Sequence, residues 1–213
     1  MNFDEFLIRI SKIKNIPLPA ESSQFKMAPP YRQVLLDQQK KAIKTAKKAG
    51  VLALFYPDFK GQTTLVLILR KTYKGVHSAQ IGFPGGKLEK QDASLEETAL
   101  RETFEELGVP ITRMEVVCEL SQIYIPPSNF YVQPFIGISK TTPNFIKQDS
   151  EVEAILEVPL HHFLDDKLVA TKKVSTSYSV DVEVPAFILN NHIVWGATAM
   201  MLSEIKDLLK QII

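Results

Sequence analysis

The sequence predicts a layered domain of mixed strands and a few helices, α/β or α+β in class, and two observations carry that expectation. From Val51 onward, runs rich in β-branched and aromatic residues recur between Pro, Gly and Asn: VLALFYP, TTLVLILRK, MEVVCELSQIYI, FYVQPFIGISK and VATKKVSTSYSVDVEVPAFIL. Two helical patterns interrupt them, one spanning about 95–107 and one in the C-terminal WGATAMMLSEIKDLLKQII. At 213 residues the chain is long enough for one well-buried domain and does not demand a second.

Residues 1–50 differ in pattern and are expected to form an extension packed on a domain spanning 51–213. Phe3, Phe6, Leu7 and Ile10 recur at helical spacing. IPLPAESSQFKMAPPY, with Pro17, Pro19, Pro29 and Pro30, reads as an extended connector. QQKKAIKTAKKAG reads as a basic helix stopped by Gly50. Nothing in this region suggests chemistry.

The formal charge is +1, so no global field draws the chain to nucleic acid or anionic lipid, and any phosphate must be gripped locally. Cys118 is the only cysteine, which excludes an intramolecular disulfide and reads as a small buried hydrophobe. The N-terminus carries Asp4 and Glu5 where a targeting peptide would be basic, and the longest apolar run, VLALFY, is too short to span a bilayer. A cytoplasmic location is expected, with no membrane partner.

The segment GGKLEKQDASLEETALRETFEELGV places Glu96, Glu97, Glu102, Glu105 and Glu106 within eleven residues, directly after a glycine turn. Like charges three and four residues apart repel on a helix. Ser94 followed by Glu97 fits a capping box and Gly108 fits a left-handed helix end, which bounds the helix at about Leu95 and Leu107. At ~100° per residue, Leu100, Phe104 and Leu107 share a packing arc with Thr103 at its edge, while Glu102, Glu105 and Glu106 share another. A solvated acidic face is the usual reading of such a run. Against it, alternating lysines are absent, Arg101 is the one cation on the helix, and GFPGGK delivers a backbone carbonyl nearby. Clustered oxygen ligands of this kind suit Mg²⁺ or Mn²⁺ carrying substrate phosphates.

RETFEELGV, Arg101 to Val109, resembles the core of the Nudix box, with Thr103 in place of a bulky aliphatic residue. The upstream acidic position is best matched by Asp92, one residue farther from Arg101 than the general box prescribes. FPGGKLEKQDASLEETALRE is similar to the coenzyme A pyrophosphatase branch of that family, as are YIPPSNFYVQPFIG, SEVEAILEVPL and VPAFILNNHIVWGATAMML. The branch's upstream motif is matched by Leu67 and Arg70. Val66, Ile68, Lys71, Gly75 and Ala79 depart from it, and the arginine missing at Gly75 is not reproduced by Lys71 or Lys74.

The resemblance implies a Nudix-type α/β/α sandwich with a mixed sheet and a diphosphatase that uses Mg²⁺ or Mn²⁺. The expected partner is a small-molecule nucleoside diphosphate derivative of CoA type, and a homodimer is the assembly considered. Glu102, Glu105 and Glu106 are the metal ligands, with the Gly86 carbonyl as a weaker one, and Arg101 orients them. The base is one of the helix glutamates or a loop carboxylate, Glu151 or Glu153. Arg70 is the better phosphate contact, because its fixed fork matches phosphate oxygens, with His77 nearer the site than His161, His162 or His192. Ser128 either shapes a pocket wall or belongs to a plain turn, and Trp195 is expected to anchor the last helix in the core. The rival functions are the same chemistry on ADP-ribose, NADH or a dinucleotide, and a silent Nudix-fold binding module.

Overall fold

In a computed structural model of the chain, residues 1–71, 80–175 and 181–213 are described. His77, with Lys74, Gly75 and Ala79, lies outside the described residues. The run Val51–Tyr56 is buried without a break because its alternating side chains feed two cores: Val51, Ala53 and Phe55 on one side, Leu52, Leu54 and Tyr56 on the other. Such two-sided burial marks a central strand covered on both faces.

That strand, β1 (Lys47–Pro57), runs parallel to β7 (Phe130–Ile138) along one edge. Its other edge pairs at one end with β2 (Thr63–Arg70) and at the other with β4 (Gly85–Lys87). β1 and β2 therefore splay apart, and β3 (Ile81–Gly82), paired to β2, fills the fork together with β4. β5 (Glu115–Glu119) and β6 (Ile123–Ile125) extend the sheet beyond β7, and β8 (Val152–Pro159) closes it beyond β2. A second sheet holds β9 (Val169–Val174), β10 (Val182–Leu189) and β11 (His192–Trp195), with Asn190 and Asn191 at positive φ in the last turn. The strand character of β8 and β11 was not expected from sequence.

Six helices cover the sheets among the described residues: α1 (Phe3–Ile10), α2 (Glu21–Gln24), α3 (Arg32–Gln38), α4 (Leu95–Leu107), α5 (Leu160–Leu164) and α6 (Gly196–Leu209). α4 packs on one face of the large sheet, and α1 and α6 contribute to the core on the other, which gives the α/β/α sandwich. None of them is long and apolar enough to cross a membrane.

The first fifty residues belong to this architecture. Phe3, Phe6 and Ile10 of α1 are buried, and the Phe6 and Phe55 rings lie 5.1 Å apart. Burying a side chain of this size is worth ~1.5–3 kcal/mol. The stretch expected as an extended connector instead contains α2, because the buried Glu204 of α6 accepts from the Ala20 N–H at 3.2 Å and the Gln24 Nε2 at 3.0 Å. The expected basic helix up to Gly50 is also corrected. α3 ends at Gln38, a 3-10 turn follows, and β1 begins at Lys47, so Gly50 sits inside a strand. A Cβ on Gly50 would overlap the Leu95 carbonyl, so this glycine is where α4 rests on the sheet.

Candidate active site

The bounds of α4 are those the capping residues predict. Ser94 Oγ accepts from the Glu97 N–H, the Glu97 carboxylate reaches back to the Ala93 N–H, and Gly108 ends the helix at φ 72°. Its rotation differs from the expected one. Phe104, assigned to the packing arc, is 47% exposed, whereas Ala99, Thr103, Glu106 and Leu107 are buried. Thr103 tolerates burial because its hydroxyl donates to the Ala99 carbonyl at 2.6 Å. Glu106 is drawn inward by the glycine turn.

Glu106 is 1% exposed, and its Oε2 accepts from the Gly85 N–H at 2.8 Å. Among the described residues its Oε1 has no hydrogen bond, and the Arg70 Nη1 lies 3.3 Å away, an ion-pair distance without hydrogen-bond geometry. Arg70 Nη2 donates to the Gly85 carbonyl at 2.7 Å, so the expected phosphate arginine is spent in part on the turn and on Glu106. Glu102 lies against Gly86, where any Cβ would overlap its carboxylate.

Arg101 is the hub of the other carboxylates. It grips Asp92 with two hydrogen bonds, Nε to Oδ1 at 2.8 Å and Nη2 to Oδ2 at 2.9 Å. Its Nη1 lies 3.0 Å from both Glu102 Oε1 and Glu105 Oε2. Asp92 also accepts from the Glu89 N–H and Thr98 Oγ1, both at 2.9 Å, and the Arg101 hydrogen bonds hold its carboxyl well below the usual range. Asp92 is thus the partner that the shifted acidic position supplies.

Burial pushes Glu106 up to about 7 against the opposing pull of Arg70 and the Gly85 N–H, with Glu102 and Glu151 adding to the rise. Burial likewise raises Glu102, opposed by Arg101, with Glu105 and Glu151 pushing the same way as burial. Glu151, exposed at the entry to β8, is therefore close enough for its charge to be felt at both helix glutamates. Its carbonyl accepts from the Lys71 N–H at 2.8 Å, which ties it to the end of β2.

The expected ligand set is not closed as it stands. Among the described residues no three Asp, Glu, His or Cys side chains converge to hold a metal ion, because Arg101 retains Glu102 and Glu105 while Gly85 and Arg70 retain Glu106. The donor chemistry nonetheless fits a hard divalent cation. Among the described residues Glu106 Oε1 is a buried acceptor without a hydrogen bond, and the negative charges of Glu102 and Glu151 add to the burial that raises its proton affinity.

A cavity of about 320 Å³ adjoins this cluster, within the range of small-molecule sites. Arg70, Gly85, Gly86 and Ser128 all line it. Ser128 thus belongs both to a turn, Pro126–Ser128, and to the pocket wall. Trp195, expected in the core, is half-buried at the start of α6 and lines the same cavity. Sequence reasoning missed Tyr31, just before α3, and Arg32, its first residue, which both line the cavity.

A mixed sheet between helices, with an acidic helix over a glycine turn beside a pocket, is the arrangement of one known domain family. The NUDIX domain family matches residues 46–177, and the chain belongs to the Nudix family. It is 30% identical over 151 residues to the uncharacterized Nudix hydrolase NudL of Yersinia pestis (strain Pestoides F), covering 68% of this chain and 71% of that one. The same figures hold for the NudL of Yersinia pseudotuberculosis serotype O:1b (strain IP 31758). Among solved structures, a Nudix hydrolase from M. smegmatis, RenU, superposes with a TM-score of 0.54 at 14% identity, over 79% of this chain and 88% of that one, a likeness of fold. Nudix hydrolases generally use divalent metal ions.

Proposed function

We propose that this chain hydrolyses the diphosphate of CoA or a short acyl-CoA, releasing 3′,5′-ADP and a 4′-phosphopantetheine compound. The observation that carries the diphosphatase chemistry is the buried Glu106, whose Oε1 lacks a hydrogen bond among the described residues and whose carboxylate sits behind Gly85, which lines the cavity. The CoA assignment rests on the FPGGKLEKQD run with its displaced Asp92, now seen to serve Arg101.

A diphosphate resists attack because its oxygens repel a nucleophile. A bound Mg²⁺ or Mn²⁺ neutralises that charge and makes water more acidic. Glu102 and Glu106, with Glu105 at the rim and the Gly86 carbonyl as a further oxygen, are the residues to hold it. Arg101 is a positioning residue that fixes Glu102 and Glu105 from the Asp92 side. Arg70 holds the Gly85 turn and keeps a cation at the cavity wall, where a phosphate oxygen would meet a planar donor. Glu151 is the base: it takes a proton from the attacking water as the new P–O bond forms and the bridging P–O bond breaks. The departing phosphate leaves with the bridging oxygen.

The departures at Lys71, Gly75 and Ala79 favour a second reading, in which the same machinery acts on ADP-ribose or NADH. The test is a panel of diphosphates assayed with Mg²⁺ and Mn²⁺, with products identified by mass. Formation of 3′,5′-ADP from CoA is expected. Turnover of ADP-ribose or NADH alone would move the assignment to the second reading.

A further inference from the structure

Arg32 is a cation without an ion-pair partner among the described residues, at the edge of the cavity. Its Nη2 donates to the Tyr124 carbonyl at 2.9 Å and its guanidinium lies 5.7 Å from the centre of the Phe25 ring, yet its buried Nε finds no acceptor among the described residues. Burial presses its pKa down, and the charge of Glu21 pushes it back up. A partly desolvated guanidinium with an unspent donor is costly, and such a group is retained where something else completes it. Ser128 Oγ, on the turn against which α3 packs, is a second buried polar atom of the cavity wall without a partner among the described residues.

Both sit away from the carboxylates. β1 pairs Lys47 with Phe130 and Gly50 with Gly86, so the turn at Pro126–Ser128 lies beyond the start of β1, across the sheet from Gly86 and roughly 10 Å or more from it. A diphosphate seated at Glu102 and Glu106 leaves an organic group to reach that end. The N-terminal segment is also held in place. Besides the Glu204 contacts, Ser203 Oγ donates to the Ser23 carbonyl at 2.7 Å, Ser23 Oγ donates to Asp207, and Lys26 pairs with Asp207 at 2.6 Å.

We propose that Arg32 is a specificity-determining residue, donating to an oxygen acceptor on the part of the substrate beyond its diphosphate, with Ser128 Oγ as a second contact to the same part. The N-terminal segment then completes the substrate pocket. This rests on the diphosphatase reading of the site, and it does not depend on which nucleoside diphosphate derivative is preferred.

Full-length Arg32→Gln, Arg32→Lys and Ser128→Ala are compared with wild type on CoA and on ADP-ribose at saturating Mg²⁺, with thermal midpoints checking the fold. Arg32→Gln should raise KM about tenfold for at least one substrate, as expected for one lost charge-assisted contact, with kcat within about twofold and an unchanged Mg²⁺ requirement. Arg32→Lys should keep part of the affinity. An unchanged KM on both substrates in a folded Arg32→Gln overturns the assignment, as does a fall in kcat with a shifted Mg²⁺ requirement, which would mark a disturbed carboxylate cluster. If wild type cleaves neither substrate, calorimetry with the same two ligands separates the claims. Arg32-dependent binding keeps the subsite and removes the diphosphatase reading, and Arg32-independent binding removes both.

Discussion

Arg101 and Asp92, nine residues apart in sequence, form a two-pronged ion pair in which the Asp92 side chain is 1% exposed. The same guanidinium touches Glu102 and Glu105, so the pair fixes the helix carboxylates relative to the loop before α4. Arg101→Ala should lower activity by loosening those carboxylates, and added Mg²⁺ should restore part of it. Asp92→Asn should lower the thermal midpoint at pH 7. Because the Asp92 carboxyl is held below its unfolded value, its stabilisation is present above that unfolded value, near pH 4, and fades as pH falls through the folded one. The wild-type and Asp92→Asn midpoints should therefore converge in acid; a constant gap would separate the loss from the ion pair.

Glu106→Gln and Glu105→Gln should each lower kcat by at least ~10², since each removes a charge from a site whose electrostatics govern the barrier. Glu106 is buried and Glu105 is at the rim, so the Glu106 loss should be the larger and the less responsive to added metal. Steady-state kinetics across a Mg²⁺ series checks this, and near-normal rates in both variants would take α4 out of the active site.

The raised Glu106 makes the metal-free protein sensitive to pH. Between an unfolded value near ~4.3 and the folded value of about 7, the folded chain binds a proton that the unfolded chain does not. Its stability contribution is thus complete below the unfolded value and is lost as pH rises through about 7. Thermal midpoints measured with EDTA from pH 5 to pH 8 should fall more steeply for wild type than for Glu106→Gln, and parallel curves would contradict the protonated Glu106.

Two glycines separate packing from chemistry. Gly50→Ala meets the backbone carbonyl of Leu95, which cannot move without α4, and should cost roughly 1–3 kcal/mol in denaturant unfolding. Gly86→Ala meets the movable Glu102 carboxylate, so activity should fall much further than stability. The reverse ranking would show that Gly86 is the structural position.

Much of this site is legible in the sequence because its signals are local. Ser94, Glu97 and Gly108 fix the ends of α4 through contacts a few residues long, and Asp92 lies within one loop of Arg101. What was misread depends on tertiary packing. Gly50 looks like a helix stop until Leu95 is placed against it, and Phe104 looks like core until Gly85 draws Glu106 inward and turns the helix. Arg32 carries no local sign of a role, since its meeting with Tyr124 and the Pro126–Ser128 turn is made across more than ninety residues of chain.

The most direct test of the central claim is a competition. Equimolar CoA and ADP-ribose are given to the enzyme together with Mg²⁺, and both sets of products are followed by mass, so that their initial ratio is the ratio of kcat/KM. 3′,5′-ADP and 4′-phosphopantetheine should accumulate faster than AMP and ribose 5-phosphate. Faster cleavage of ADP-ribose would contradict it.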